Sequence, residues 1–189
     1  MIARRYRIVV CALALVLGLA ACGNKTAHPH VADANNNGGY LDAGPITYQL
    51  QVSRVLNPYS TEDSQYVTGL ATGTARPTAD QEWYAVFLKA KNQTSKPQAT
   101  DDRFVVTDSQ GNGYYPLKLN PSTNPYAWTS HTLAPLATQP GPDTTASFGP
   151  TQGQLLLFKI NNSAFNNRPL TLKILGSSNQ ALGTISLDL

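Results

Sequence analysis

Cysteine is nearly missing from this 189-residue chain: there are two, Cys11 and Cys22, and none beyond residue 22. No disulfide can staple what folds downstream, so its stability must come from a packed core. Histidine is scarce as well, with only His28, His30 and His131. A serine hydrolase would want a G-x-S-x-G elbow and a base beside it; the chain has no such elbow, and His131 would have to serve alone. Charged residues make up 13 % of the sequence, with no Lys/Arg cluster beyond the first few residues. That argues against a binder of nucleic acid or another polyanion, which needs a basic patch. No apolar run reaches the ~20 residues that cross a bilayer as a helix.

What is present begins at the N-terminus. Arg4, Arg5 and Arg7 precede an apolar run of fourteen residues, Ile8 to Ala21, the pattern of a signal-peptide basic region and hydrophobic region. The run ends in Leu19-Ala20-Ala21-Cys22-Gly23. These five residues resemble the bacterial lipobox, which implies that 1–21 is a lipoprotein signal peptide and that Cys22 becomes the first mature residue, acylated on sulfur. Cys11 would leave with the signal peptide. Two or three acyl chains (palmitate-like) anchor stably where a single chain is marginal. The expected location is the cell membrane, lipid-anchored, on its extracytoplasmic face. Without the three arginines, eleven basic residues face eleven acidic ones, so the mature chain is near neutral.

Residues 23–39 (GNKTAHPHVADANNNGG) are small, polar and aperiodic. Together with Cys22 they read as a disordered tether, 22–39, with an r.m.s. reach of roughly 20–25 Å. His28 and His30 invite a metal reading but have no ligand partner at useful spacing, so they read as linker residues.

The folded part, 40–189, is patterned as strands. Trp83 to Ala90 (WYAVFLKA) is rich in aromatic and β-branched residues and apolar on both faces, Tyr84, Val86, Leu88 and Ala90 on one and Trp83, Ala85 and Phe87 on the other. That predicts a central strand with Trp83 and Phe87 in the core. Ile46 to Leu56 alternates, Ile46, Tyr48, Leu50 and Val52 against Thr47, Gln49, Gln51 and Ser53, as a half-buried strand does. Asn57-Pro58 stops it, and Ser60 or Thr61 is placed to cap a short helix running to Leu70. Phe104 to Tyr115 reads as a hairpin turning at Asp108–Gly113. Gln154 to Ile160 is a buried strand by its continuous apolar run. Leu170, Leu172 and Ile174 face inward from the next strand, and Leu182 to Leu189 closes a terminal hairpin. Phe165 is expected to tuck inward, and Thr144 to Phe148 to form a short strand. Seven or eight strands with no long helix make this an all-β antiparallel sandwich.

Seven of the thirteen prolines lie between Pro116 and Pro150. A stretch so rich in proline cannot be a central strand and is long for an idle connection. It is either a cover packed over one end of the sandwich or a binding element that exposes aromatics. In the second case Tyr126 and Trp128, joined by Tyr114 and Tyr115, are the candidate ligand-binding residues. The acid pairs Glu62/Asp63 and Asp101/Asp102 are the residues from which glycosidase carboxylates or a Ca²⁺ site would have to be built. Neighbouring acids usually point apart into solvent, so neither catalysis nor a metal or cofactor is expected. The sequons at Asn92 and Asn161 carry little meaning in a chain with a bacterial lipobox.

The succession EWYAVFLKAKNQTSKPQ, DDRFVVTDSQGNGYYP, GQLLLFKI and RPLTLKI resembles the immunoglobulin-like domains of the DUF4352 type found on bacterial lipoproteins. The corresponding places are held by Lys89 and Asn92, by Phe104 to Tyr115 and by Gly153 to Ile160, and the likeness spans roughly Tyr48 to Leu187. It departs at Asn120 to Pro142, which is longer and richer in proline. The resemblance implies an immunoglobulin-like β-sandwich, extracytoplasmic display and interaction, with no catalytic residues. The expected function is a non-catalytic adaptor domain for a cell-envelope protein; the alternative is a glycan or small-molecule binder using the aromatics of the Pro-rich loop.

Overall fold

The computed structural model describes residues 28–29, 31–33 and 39–187. The signal segment, Cys22, His30, most of the tether, Asp188 and Leu189 lie outside the described residues. Among the described residues no helix is long and apolar enough to cross a membrane.

Two sheets carry the fold, an all-β sandwich. One runs in the order β10 (Gln154–Asn161), β4 (Gln81–Asn92), β3 (Ile46–Leu56), β2 (Tyr40–Ala43), with the short β9 (Thr138–Gln139) also on β4. The other runs β1 (Val31–Asp33), β12 (Ala181–Ser186), β11 (Thr171–Leu175), β6 (Phe104–Thr107), β7 (Gly113–Tyr114). A two-stranded ribbon pairs β5 (Gln98–Ala99) with β8 (Thr132–Leu133).

β4 is central, as its two apolar faces predict. Tyr84, Val86, Leu88 and Ala90 point into the space between the sheets with Tyr48, Phe104, Val106, Phe158, Leu172 and Ile174. Trp83, Ala85 and Phe87 point the other way, into a second cluster with Leu56, Tyr66, Tyr126, Leu155 and Leu157. β10 splits in the same manner, Leu156, Phe158 and Ile160 inward and Leu155 and Leu157 outward. A continuous apolar run is what a strand covered on both faces requires. Phe165 packs on Tyr84, ring centroids 5.9 Å apart. The cover over the outer face is the Pro-rich segment. Its backbone completes the free edge of β10: Leu117 N–H donates to Leu157 O (2.7 Å), Leu155 N–H to Tyr126 O (2.7 Å) and Trp128 N–H to Leu155 O (2.9 Å).

Four details differ from the sequence expectation. The register of β3 on β4 shifts between Leu50 and Val52. This bulge turns Val52 to the outer cluster, away from Ile46, Tyr48 and Leu50. Opposite it sits Gly153 at φ +107°, where an added Cβ would meet Leu88 O at 3.1 Å. The helix after β3 is brief: α1 (Thr61–Ser64) is capped by Ser60 Oγ, which accepts from Asp63 N–H at 3.1 Å, and continues only as a 3₁₀ turn over Gln65–Val67. Thr144 to Phe148 is not a strand; α2 (Thr145–Phe148) is one helical turn, closed by Gly149 N–H on Thr145 O at 2.8 Å and holding Ala146 in the core. Finally, part of the expected tether joins the sandwich: β1 pairs in parallel with β12, and Asp42 N–H donates to Pro29 O at 3.3 Å. A polar composition did not stop this pairing, because a sheet edge accepts any backbone that can lie along it.

Candidate functional site

The four candidate aromatics do not form one surface. Tyr126 is 3 % exposed, edge-on to Tyr66 with centroids 4.9 Å apart, and its hydroxyl donates to Gln65 Oε1 at 2.9 Å. Asn124, fully buried, draws it in: Nδ2 donates to Tyr66 O and Thr68 O, both at 3.1 Å, and Oδ1 accepts from Tyr126 N–H at 3.0 Å. Trp128 packs on the inner core against Phe104 and Tyr48, centroids 5.3 and 6.0 Å away, and its Nε1–H donates to Asp101 O at 3.0 Å. One side of its ring lines a cleft of about 460 Å³ with Pro116, Pro121 and Asp102. Tyr114 is half-buried on β7 and Tyr115 is 70 % exposed.

The candidate acids are held by neighbouring side chains. Asp63 Oδ1 accepts from Arg54 Nη2 at 2.5 Å, Glu62 lies 3.2 Å from the same guanidinium, and Asp63 Oδ2 accepts from Asn57 N–H at 2.8 Å. Burial would raise the Asp63 pKa, but the bonds from Arg54, Asn57 and Ser60 outweigh it and hold it below the usual carboxylate range. Asp101 Oδ2 accepts from Tyr48 Oη at 2.6 Å, and Asp101 N–H donates back to that oxygen at 2.8 Å. Burial raises Asp101, and burial together with the Asp101 charge pushes the Tyr48 hydroxyl far above its ordinary value. Among the described residues no group of three or more His, Cys, Asp or Glu is gathered as a metal site would need. His28, read from sequence as a linker residue, instead docks: its N–H donates to Asp42 Oδ2 at 2.8 Å, Nδ1 lies 3.1 Å from Oδ1, and the ring packs on Tyr40 at 5.0 Å. His131 Nδ1 lies 3.1 Å from Thr129 O on an exposed turn.

Two further grooves open at opposite ends of the β3–β4 pair. The larger, about 690 Å³, lies where β3 ends and β4 begins. Trp83, 4 % exposed, forms its floor with Val67 and Leu70; Tyr59, 89 % exposed, stands on its wall, and Arg76 and Glu82 line it too. Tyr59 is held out by a tight turn: Asn57 Oδ1 accepts from Tyr59 N–H at 3.0 Å and Asn57 O from Ser60 N–H at 3.0 Å. That turn is in turn fixed by Asp63 through Asn57 N–H. The 70–81 loop carrying Arg76 is tied down by Lys159 Nζ on Ala75 O (3.3 Å) and Asn162 N–H on Asp80 O (2.8 Å). Sequence reasoning passed over Tyr59 because Asn57-Pro58 reads simply as a strand stop; the available signal was a large aromatic inside a polar turn.

The smaller groove, about 340 Å³, lies on the outer face of the same sheet at the other end of the strands. Its floor follows from register. Tyr40 pairs with Gln49 and Gln49 with Lys89; Asp42 pairs with Thr47 and Thr47 with Lys91. These side chains alternate with Leu41, Tyr48, Leu50 and Ala90 of the core, so the two rows lie side by side on the outer surface. Pro140, Pro142 and Ser147 form the facing wall.

No family model matches the chain, and no curated protein matches it either. Solved structures with a similar course of the chain exist. The yjhA protein of Bacillus subtilis aligns over 85 % of this chain and 100 % of its own, with 12 % identity and a TM-score of 0.47. A candidate lipoprotein of Bacillus subtilis, ycdA, aligns over 79 % of this chain and 38 % of its own, with 10 % identity and a TM-score of 0.44; the chain thus spans well under half the length of that protein. A conserved hypothetical protein of Bacillus anthracis aligns over 79 % of this chain and 93 % of its own, with 13 % identity and a TM-score of 0.42.

Proposed function

We propose that this is a lipid-anchored extracytoplasmic protein, held through acylated Cys22, whose sandwich presents a non-catalytic adaptor surface to a protein of the cell envelope. The observation that carries the reading is Tyr59, 89 % exposed on a rigid turn at the mouth of the Trp83-floored groove, with Arg76 on the same groove. Tyr, Trp and Arg are the residues that dominate protein–protein binding energy, above all around a concave site. An exposed tyrosine fixed by its own turn gives contact area at little cost in conformational entropy. The hydrogen bonding of Asp63 suits this reading, since the carboxylate holds the turn and Tyr59 with it.

The test is photo-cross-linking in intact cells from a reactive residue placed at position 59, 76 or, as a control, 173 on the opposite sheet. A single protein adduct from 59 and 76, absent from 173, supports the adaptor, and the adduct from 59 should weaken in the Arg76→Ala background. Adducts of equal pattern from all three positions would sink it. A second reading has its own observation: Trp128 lines the 460 Å³ cleft, so a glycan bound there would change tryptophan emission. Titration with cell-wall fragments separates the two, because a change that survives Trp83→Phe and disappears in Trp128→Phe places a glycan in that cleft.

A further inference from the structure

Among the described residues, the charged ones lining the 340 Å³ groove are Lys89 and Lys91, two apart on one strand and therefore on one face. Lys89 Nζ donates to Gln152 Oε1 at 2.7 Å, a bond to a neutral acceptor that leaves its charge uncompensated. Asp42, in register with Thr47 on the neighbouring strand, is engaged by Thr47 Oγ1 (2.6 Å) and by His28. Tyr40 adds a hydroxyl to the lining, while the Thr138 and Ser147 hydroxyls donate to Pro140 O and Gly141 O and leave their lone pairs and the two ammonium groups to set the character of the groove. Such a concavity suits a compact anion with several acceptor oxygens.

A second, independent observation says where that anion would come from. Tyr40 is both a wall of the groove and the ring on which His28 packs. Five residues lie between Cys22 and His28, and the six residue steps span at most about 20 Å even when fully extended. If Cys22 carries the lipid, as proposed above, this groove is the concave surface of the domain that the anchor keeps closest to the bilayer.

We infer that the Lys89–Lys91 groove binds the headgroup of an anionic phospholipid, so that the domain is seated on the membrane by this face as well as tethered to it. Lysines near an anionic bilayer are each attracted by an amount equal to about fivefold in occupancy.

The test uses the full-length lipoprotein in nanodiscs of phosphatidylcholine alone or of an equimolar mixture with phosphatidylglycerol, read by the rate of amine acylation at each lysine. Lys89 and Lys91 should react about fivefold more slowly in the anionic discs, while Lys159 and Lys173 keep one rate in both. In Lys91→Gln the protection of Lys89 should weaken several-fold. Equal rates at Lys89 and Lys91 in both discs, on protein whose intact mass includes the acyl chains, overturn the headgroup site and leave the anchor standing. An intact mass without acyl chains on Cys22 overturns the anchor and this inference together. Glycerol phosphate added to phosphatidylcholine discs separates the sources: full protection by the free compound would make this a soluble-anion site and refute the lipid assignment.

Discussion

Asn92 is the residue whose replacement tests the fold most sharply. It is fully buried at the end of β4, and one side chain serves five hydrogen bonds. Nδ2 donates to Lys96 O (2.7 Å), Leu133 O (3.2 Å) and Ala134 O (3.1 Å), while Oδ1 accepts from Thr94 N–H (2.9 Å) and Thr94 Oγ1 (2.8 Å). It thereby closes the 93–97 turn and ties the Pro-rich segment to the central strand. Asn92→Ala removes all five bonds; Lys96 O keeps Thr94 Oγ1 and Ala134 O keeps Ala137 N–H, but Thr94 N–H loses its side-chain acceptor and Leu133 O its side-chain donor, at about 2–4 kcal/mol. Asn92→Asp is the more discriminating change. It keeps an acceptor for Thr94 but turns a second oxygen toward three carbonyls, so the charged form should cost about 1–2 kcal/mol beyond the alanine variant. A protonated carboxyl could donate to one of them. The folded-state pKa of the new acid must therefore lie above its unfolded value of about 3.9. By linkage the variant is best off below about pH 4 and loses stability relative to wild type as pH rises through that folded-state pKa. Urea unfolding followed by tryptophan emission at pH 4.5 and pH 7.5 measures this. An Asn92→Asp protein as stable as wild type, or one whose deficit is the same at both pH values, would refute the assigned hydrogen bonding.

Other outcomes follow from the same contacts. Phe87→Ala empties a site packed between Tyr66 and the outer cluster and should cost ~3–5 kcal/mol in chemical denaturation; a loss below 1 kcal/mol would mean the Pro-rich cover collapses onto the gap. Gly153→Ala forces an L side chain to φ +107° against the Leu88 carbonyl, so the Tm should fall by several degrees, equivalent to about 2 kcal/mol. Asp63→Asn should cost about 1–2 kcal/mol at pH 7. Because the native pKa of Asp63 is depressed, the wild-type advantage exists above about pH 4 and fades as pH falls through the native value; an advantage that grew on acidification would be incompatible with the Arg54 pairing. The same substitution should weaken cross-linking from position 59 more than from position 76, since Asp63 holds the Asn57 turn.

The strands legible in the sequence are those whose pattern is set by one neighbour shell. β4 and β10 are apolar on alternate residues of both faces because each lies between the inter-sheet core and a cover, and hydrophobicity alone records that. Leu170, Leu172, Ile174, Ile185 and Leu187 likewise all reach the core. The bulge in β3 left no mark: Ile46, Tyr48, Leu50 and Val52 alternate perfectly, yet Val52 faces outward, because the outer cluster needs Val52 and Leu56 over Phe87 and Trp83. That demand comes from residues thirty positions away. Thr144 to Phe148 has strand-like composition, but the helical turn is settled by burying Ala146 and by the close of Gly149 on Thr145. Tyr126 and Trp128 could be recognised as large aromatics in a proline-rich loop, and the cover reading that has them anchor it is the one the structure bears out, but their partners could not be read. Their direction depends on Asn124 reaching Tyr66 O and on the Asp101 carbonyl receiving Trp128, both long-range hydrogen bonds between residues of ordinary loop type.

The two grooves give the domain a polarity that neither has alone. Thr47 borders one and Leu56 leads directly into the turn that builds the other, and nine residues of extended strand between them span about 30 Å. The described part of the N-terminal segment approaches beside Thr47, through His28 on Asp42 and β1 on β12. If Cys22 is acylated, as proposed, the anchor holds the Lys89–Lys91 end nearest the bilayer, and Tyr59 with Arg76 stands about 30 Å farther out. His28, held on Asp42, lies six positions after Cys22 in the sequence. If the domain is seated by that face, as inferred above, the exposed tyrosine is aimed away from the membrane, where a second envelope protein would reach it.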